Sequence, residues 1–178
     1  MPRNALRANV FFGYSCRYLA HVLHSPYYFS SGGSSMEGFR HVLPIDVRFR
    51  DLDAFGHVNS AVILTYFETA RMHYLIDLDL RLPQGGWNDL PFILAHLDCD
   101  FRKPIFFGQA VEIGSRITEI KRSSLRLEHR VEADGELAVE GYDIVVHYDY
   151  VANHSMPISP DIRARIETFE QGDGRRFF

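Results

Sequence analysis

Two cysteines among 178 residues exclude a disulfide-stapled scaffold. Cys16 and Cys99 are too far apart for a metal or redox spacing, so a reducing compartment is the simpler expectation. No apolar run approaches the roughly 20 residues of a membrane span, since Arg17, His21 and His24 divide the aromatic stretch near the N-terminus. The folded region has no His-x-x-x-His or Cys-x-x-Cys pair, and no metal site is expected. A glycine-rich phosphate loop is missing, Gly85-Gly86 standing alone, and a serine triad would lack its nucleophile elbow. With a net charge of -4, there is no general reason to expect nucleic acid as a partner. Internal repeats are absent.

Acidic residues are missing from positions 1–35, which carry Arg3, Arg7, Arg17 and several serines and close on Ser30-Ser31-Gly32-Gly33-Ser34-Ser35. That composition fits a mitochondrial or plastid transit segment. The rival reading starts the native protein at Met36, just before the first strand, and makes the first 35 residues a non-native leader in a cytoplasmic protein. In neither case do they add to the fold. Domain boundaries are therefore expected at 1–35 for the extension, 36–158 for the main domain, and 159–178 for a short helix and tail.

What is present is a chain 46% hydrophobic and 24% charged, enough for one real core. Val42, Ile45, Val47 and Phe49 alternate with polar residues and predict a strand over 39–50. Ile63, Tyr66, Phe67, Ala70, Tyr74 and Leu78 recur at helical spacing and predict a helix from about Ser60 to Leu80, with Glu68, Arg71 and Asp77 off the stripe. Four further strands are predicted: Phe92–Arg102, Ala110–Ile120, Ser123–Ala133 and, after the Asp134-Gly135 hairpin, Glu136–Tyr150. Pro104 and Gly108 mark a turn, and Ser159-Pro160-Asp161 opens a last helix. One long helix and five strands joined mostly by hairpins predict an α+β fold, an antiparallel five-stranded sheet wrapped around a long central helix.

Between the first strand and that helix lies Arg50-Asp51-Leu52-Asp53-Ala54-Phe55-Gly56-His57-Val58-Asn59-Ser60. Here a strand delivers a carboxylate, a glycine turn frees the backbone, and a helix begins with unpaired N–H groups. A helix N-terminus stabilises developing negative charge, and a carboxylate beside it serves as nucleophile or activates water. Acyl transfer or hydrolysis is the chemistry such a cluster points to. Each member alone has a plainer reading: Asp53 as a turn acid, His57 as a loop histidine, Asn59 as a helix cap.

The stretch Asp51 to Asn59, followed by Tyr66-Phe67-Glu68-Thr69-Ala70-Arg71, resembles the signature of hotdog-fold acyl-CoA thioesterases of the 4-hydroxybenzoyl-CoA thioesterase type. Plant acyl-carrier-protein thioesterases carry a related Asp-x-x-x-His-Val-Asn-Asn motif. Asp98 to Gln109 and Ile120 to Ser124 resemble later strands and turns of the family, so the likeness covers about residues 40–150. It implies a hotdog fold, an acyl-CoA substrate with coenzyme A as part of it and no cofactor, and a homodimer or homotetramer whose protomers join sheets edge to edge.

By the same resemblance, Asp53 attacks the thioester carbonyl or activates water. The backbone around Asn59 and Ser60 forms the oxyanion hole, and His57 and Asn59 orient the reacting groups. Glu68 is a second candidate, because another branch places its acid on the helix, although an exposed helix acid is the plainer reading. Phe55 stands where the plant enzymes have asparagine, so their arrangement does not transfer whole. Phe55 and Trp87 are candidates for the acyl pocket. Arg102, Lys103, Lys121 and Arg122 are candidates for the coenzyme A phosphates. A hotdog hydratase or dehydratase, or a non-catalytic acyl-binding protein, stays open as an alternative.

Overall fold

The computed structural model describes residues 36–80 and 90–172; the expectations for residues 1–35 and for Trp87 lie outside the described residues. In chain order come β1 (His41–Ile45), a 3-10 turn (Phe49–Asp51), α1 (Ser60–Asp77), β2 (Phe92–Phe101), β3 (Val111–Ile120), β4 (Ser124–Ala133), β5 (Glu136–Asp149), the two-residue β6 (His154–Ser155) and α2 (Pro160–Gln171). The α+β, antiparallel expectation holds. Five strands run in the spatial order β1-β3-β4-β5-β2, and β6 adds a short pairing to β5.

Three expectations change. The first strand stops at Ile45 rather than Arg50, because Arg48 and Asp51 bond each other across the 3-10 turn instead of joining a ladder. The helix ends at Asp77 rather than Leu80; Asp79 takes a positive φ of 52°, a backbone state that cannot continue a helix. The Pro104-to-Gly108 segment turns at Phe107 and Gly108 as expected, but it does not join β2 to β3 as a hairpin. β2 pairs with β5 (Phe101 opposite Val139) and β3 with β4 (Val111 opposite Ala133), so the chain crosses the sheet between β2 and β3. Pro104 cannot donate to a ladder, and the segment it interrupts is left to pair elsewhere.

The helix stripe forms the core as its spacing predicts. Ile63, Tyr66, Phe67 and Ala70 pack with Ile113, Val131 and Val139, while Tyr74 and Leu75 pack with Leu125, Leu127, Val145 and Ile166 of α2. Burying side chains of this size stabilises by about 1.5–3 kcal/mol each. Gly141 permits the close approach of two elements, since a methyl there would collide with the Asp98 carbonyl and stand 2.9 Å from the Phe67 ring.

Arg71 departs from its expected polar face. It is buried and ion-pairs with Asp143 of β5, whose Oδ2 also meets His129 Nε2 at 3.2 Å; His129 Nδ1 lies 2.8 Å from the Ser115 hydroxyl. A salt-bridged arginine on the buried helix face has no signature in apolar spacing, because only a partner from a distant strand makes it tolerable there.

Candidate functional site

The loop from Arg48 to Asn59 closes on itself. Asp53 N–H donates to the His57 carbonyl at 2.9 Å and Gly56 N–H to the Asp53 carbonyl at 3.1 Å. Gly56 sits at φ +83°, the conformation that favours glycine. Leu52 and Val58 face each other in an antiparallel bridge. The Asp53 carboxylate is thereby held at the loop's mouth. Its Oδ1 accepts Phe55 N–H at 2.8 Å, and its Oδ2 lies 3.4 Å from His57 Nδ1. The two side chains stay 20% and 38% exposed, open to a ligand from one side.

The helix start is equally specific. Asn59 is the N-cap, its Oδ1 accepting Ala61 N–H at 2.9 Å, and its own N–H donates to the Asp51 carbonyl at 2.9 Å. Its side-chain oxygen is thus taken by the cap, which leaves the Nδ2 amide as the group with which it could orient others. Val62 and Ile63 N–H both return to the Asn59 carbonyl. Of the first-turn amides this leaves Ser60 N–H without a partner among the described residues.

Asp53, His57 and Ser60 line one cleft of about 340 Å³, and the opposite wall is Phe101-Arg102-Lys103-Pro104-Ile105. The crossover between β2 and β3 creates that wall, because Val58 N–H donates to the Ile105 carbonyl at 2.8 Å and His57 bridges to Phe106. Ile63 and Val139 give the floor an apolar character. Arg102 and Lys103 of this wall were singled out in the sequence, whereas Phe101, Ile105, Ile63 and Val139 were not named for the site; the signal for them was Pro104, which marks a segment freed to pair with the motif loop.

The structure thus brings together Asp53, His57, Ser60, Arg102 and Lys103, but not every candidate. Phe55 is 84% exposed and stacks on His57, ring centroids 6.1 Å apart, outside the cleft lining. Glu68 is 65% exposed, absent from the cleft, and 3.9 Å from Arg71 Nη2. Lys121 and Arg122 occupy the β3–β4 turn, where Lys121 pairs with Glu119. That turn is at the far end of the ten-residue β3, roughly 30 Å from the cleft within one chain. Nor are Arg102 and Lys103 free cations. Arg102 Nη2 is 2.9 Å from both Asp100 and Glu140, and Lys103 Nζ is 2.6 Å from Glu136.

One buried acid supports this site. Asp51 is 3% exposed; its Oδ2 accepts the Arg48 N–H at 3.0 Å and the Tyr66 hydroxyl at 2.9 Å. Burial by itself would raise its pKa, but the hydrogen bonds from Arg48 and Tyr66 outweigh it and hold the carboxyl below its ordinary value. Among the described residues no group of three or more His, Cys, Asp or Glu side chains is disposed to hold a metal ion, and no helix is long and apolar enough to cross a membrane.

The sequence model of the thioesterase-like superfamily matches residues 47–166. A crystal structure of a thioesterase from Thermus thermophilus, complexed with coenzyme A and Zn, is 39% identical with a TM-score of 0.69, covering 76% of this chain and 98% of that one. The long-chain acyl-CoA thioesterase FadM of Escherichia coli is 23% identical over 125 residues, 69% of this chain and 94% of its own length. The chloroplastic acyl-acyl carrier protein thioesterase ATL3 of Arabidopsis thaliana is 26% identical over 98 residues, 55% of this chain and 51% of that protein. The fold is the hotdog fold of these thioesterases, as the motif resemblance implies.

Proposed function

This chain belongs to the thioesterase-like superfamily, and from that premise we propose that it hydrolyses an acyl-coenzyme A thioester to the free acid and coenzyme A, with Asp53 as the reacting carboxylate. The observation that carries the reading is the meeting in one cleft of Asp53 and Ser60, whose N–H has no partner among the described residues. Sulfur donates poorly into its carbonyl, so a thioester is open to addition once its oxygen is polarised. The Ser60 amide, backed by the N-terminus of α1, supplies that polarisation as negative charge develops on the oxygen. Asp53 then either adds to the carbonyl carbon, giving an acyl-aspartyl anhydride that water cleaves, or removes a proton from water as the water adds. In both routes the C–S bond breaks, coenzyme A leaves as the thiolate and is protonated, and the carboxylate is regenerated. His57 Nδ1, 3.4 Å from Asp53 Oδ2, orients the carboxylate.

Coenzyme A as carrier is supported by what the Thermus structure contains and by the name of the Escherichia coli relative. The Arabidopsis relative favours an acyl-carrier-protein thioester as the second reading. A homodimer joined along β2 fits the same reading. Among the described residues β2 is a sheet edge, neighboured only by β5, and it exposes Ile93, Leu94 and Phe101.

The test is release of coenzyme A thiol from short, medium, long and aromatic acyl-CoAs by the parent and by Asp53→Asn. Turnover in the parent that falls by about a thousandfold in the variant is expected, the scale on which loss of a reacting group acts. Near-parent turnover in Asp53→Asn would overturn the assignment.

A further inference from the structure

We propose that Asp51 is the positioning residue of the site, the anchor that sets the Asp53 loop against the N-terminus of α1 and leaves the Ser60 amide directed into the cleft. Its place in catalysis rests on the thioesterase reading, whereas its anchoring rests on geometry alone. Asp51 ties itself to three places in the chain, Arg48, Asn59 and Tyr66. Its N–H donates to the Arg48 carbonyl at 2.9 Å, and its carboxylate accepts in return from the Arg48 backbone at 3.0 Å and from Arg48 Nε at 3.2 Å, which closes the entrance of the loop. The same Oδ2 accepts the hydroxyl of Tyr66, a residue nearly sealed from solvent on the core face of α1. Its carbonyl accepts Asn59 N–H, which takes the N-cap amide out of competition with Ser60 for an oxyanion.

Asp53 is two residues further on, joined by the Leu52–Val58 bridge. The carboxylate and the amide therefore take their separation from one buried residue, whose carbonyl holds the helix start and whose side chain holds that residue to Arg48 and Tyr66. A loop with its own turns could keep its local shape without Asp51, yet it could not keep its register on the helix. Reacting groups misplaced by about 1 Å cost on the order of a hundredfold in rate, so a residue that touches no substrate can still govern turnover.

The test pairs two measurements on full-length Asp51→Asn and Tyr66→Phe, the latter removing a single hydroxyl should the former fold poorly. NMR-detected amide exchange reports anchoring without any substrate. Exchange at Asn59, Asp53 and Val58 should rise at least about tenfold in Asp51→Asn, while β4 amides keep their protection. In the kinetic measurement kcat should fall about 10- to 100-fold with KM for the best acyl-CoA within about threefold, and Tyr66→Phe should follow with a smaller change. A merely structural role would lower the amount of active protein and leave kcat per folded molecule unchanged; that result, or unchanged loop exchange in folded Asp51→Asn, would overturn the proposal. Faster loop exchange beside a parent that turns over no thioester would uphold the anchoring and sink the thioesterase reading instead.

Discussion

Comparing two of the aspartate–histidine pairs in the protein, Asp53–His57 and Asp143–His129, shows what separates a reactive group from a structural one. Asp53 and His57 sit four residues apart in one loop, 3.4 Å apart and partly exposed beside a cleft. Asp143 and His129 come from neighbouring strands, 3.2 Å apart with no exposure at all. The buried pair even carries a serine, since Ser115 lies 2.8 Å from His129 Nδ1. An ionised carboxylate only accepts, so His129 Nε2 donates to Asp143, and the other ring nitrogen meets the Ser115 hydroxyl. Histidine and serine bond each other, and Asp143 Oδ2 is taken by His129 and Arg71, under the Phe67 ring 4.7 Å from His129. No substrate reaches Ser115. Residue types alone do not make the difference; access and an unused N–H do.

The largest contrast is a crossed pair of variants. Asp53→Asn should abolish most turnover while leaving the unfolding midpoint in place, because its carboxylate is paired only with groups near solvent. Asp143→Asn should do the reverse: it strands Arg71 in the core, a loss of about 3–5 kcal/mol, while the remaining folded protein keeps its specific activity. Urea unfolding beside a thiol-release assay reads both. A stable but inactive Asp143→Asn would move function into the core and break the comparison.

Acid should erode the same contrast. Burial pushes the Asp143 carboxyl up, but its bonds with His129 and Arg71 prevail and hold it below its ordinary value of 3.8. A folded-state pKa below the unfolded one means stability that is full above the unfolded value and lost as pH falls through the folded value. The stability gap between parent and Asp143→Asn is therefore expected to hold constant from about pH 7 to pH 5 and to narrow below about pH 4. A gap independent of pH down to about 3 would show that shape rather than charge is what Asp143 contributes.

How much of this was legible in the sequence follows from how local each feature is. The loop at Asp53, the glycine at 56 and the cap at Asn59 are set by neighbours within a few residues, so residue order alone revealed them. The strand positions from Phe92 onward were legible for the same reason, through alternation and the Asp134-Gly135 turn. The crossover was not: Pro104 signals that a ladder stops, but only Val58 and Ile105 meeting in space says where the chain goes. Arg71 was misplaced because its partner lies 72 residues away. The cations at 102 and 103 were found, but their acids at Asp100, Glu136 and Glu140 come from β2 and β5, and Lys121 was assigned with β3 predicted but with no means of seeing at which of its ends the cleft lies.

Those acids set a smaller test. Arg102 and Lys103 can meet a phosphate only by exchanging an exposed carboxylate for it, and exposed pairs are worth about 0.2–1 kcal/mol. Replacing Glu136 with Gln should thus lower KM for the best acyl-CoA about two- to fivefold at low salt, with kcat unchanged and the gain fading as ionic strength approaches about 1 M. An unchanged KM would place the coenzyme A phosphates away from Lys103.

The smallest effect expected is at Glu68, and its smallness is informative. Both Glu68 and Asp53 are acids that the thioesterase resemblance singles out, one on the helix and one in the loop. Glu68 is not among the residues that line the cleft, and its 3.9 Å approach to Arg71 competes with the buried and much closer Asp143. Glu68→Gln should change stability by less than about 0.5 kcal/mol and leave kcat within about twofold. A hundredfold loss in kcat there, with Asp53→Asn active, would transfer the reacting carboxylate from the loop to the helix. It would also require a second protomer to bring Glu68 to a cleft that its own chain keeps it out of, since no movement within α1 turns that face toward Ser60 without unpacking Phe67 and Ala70 from the sheet.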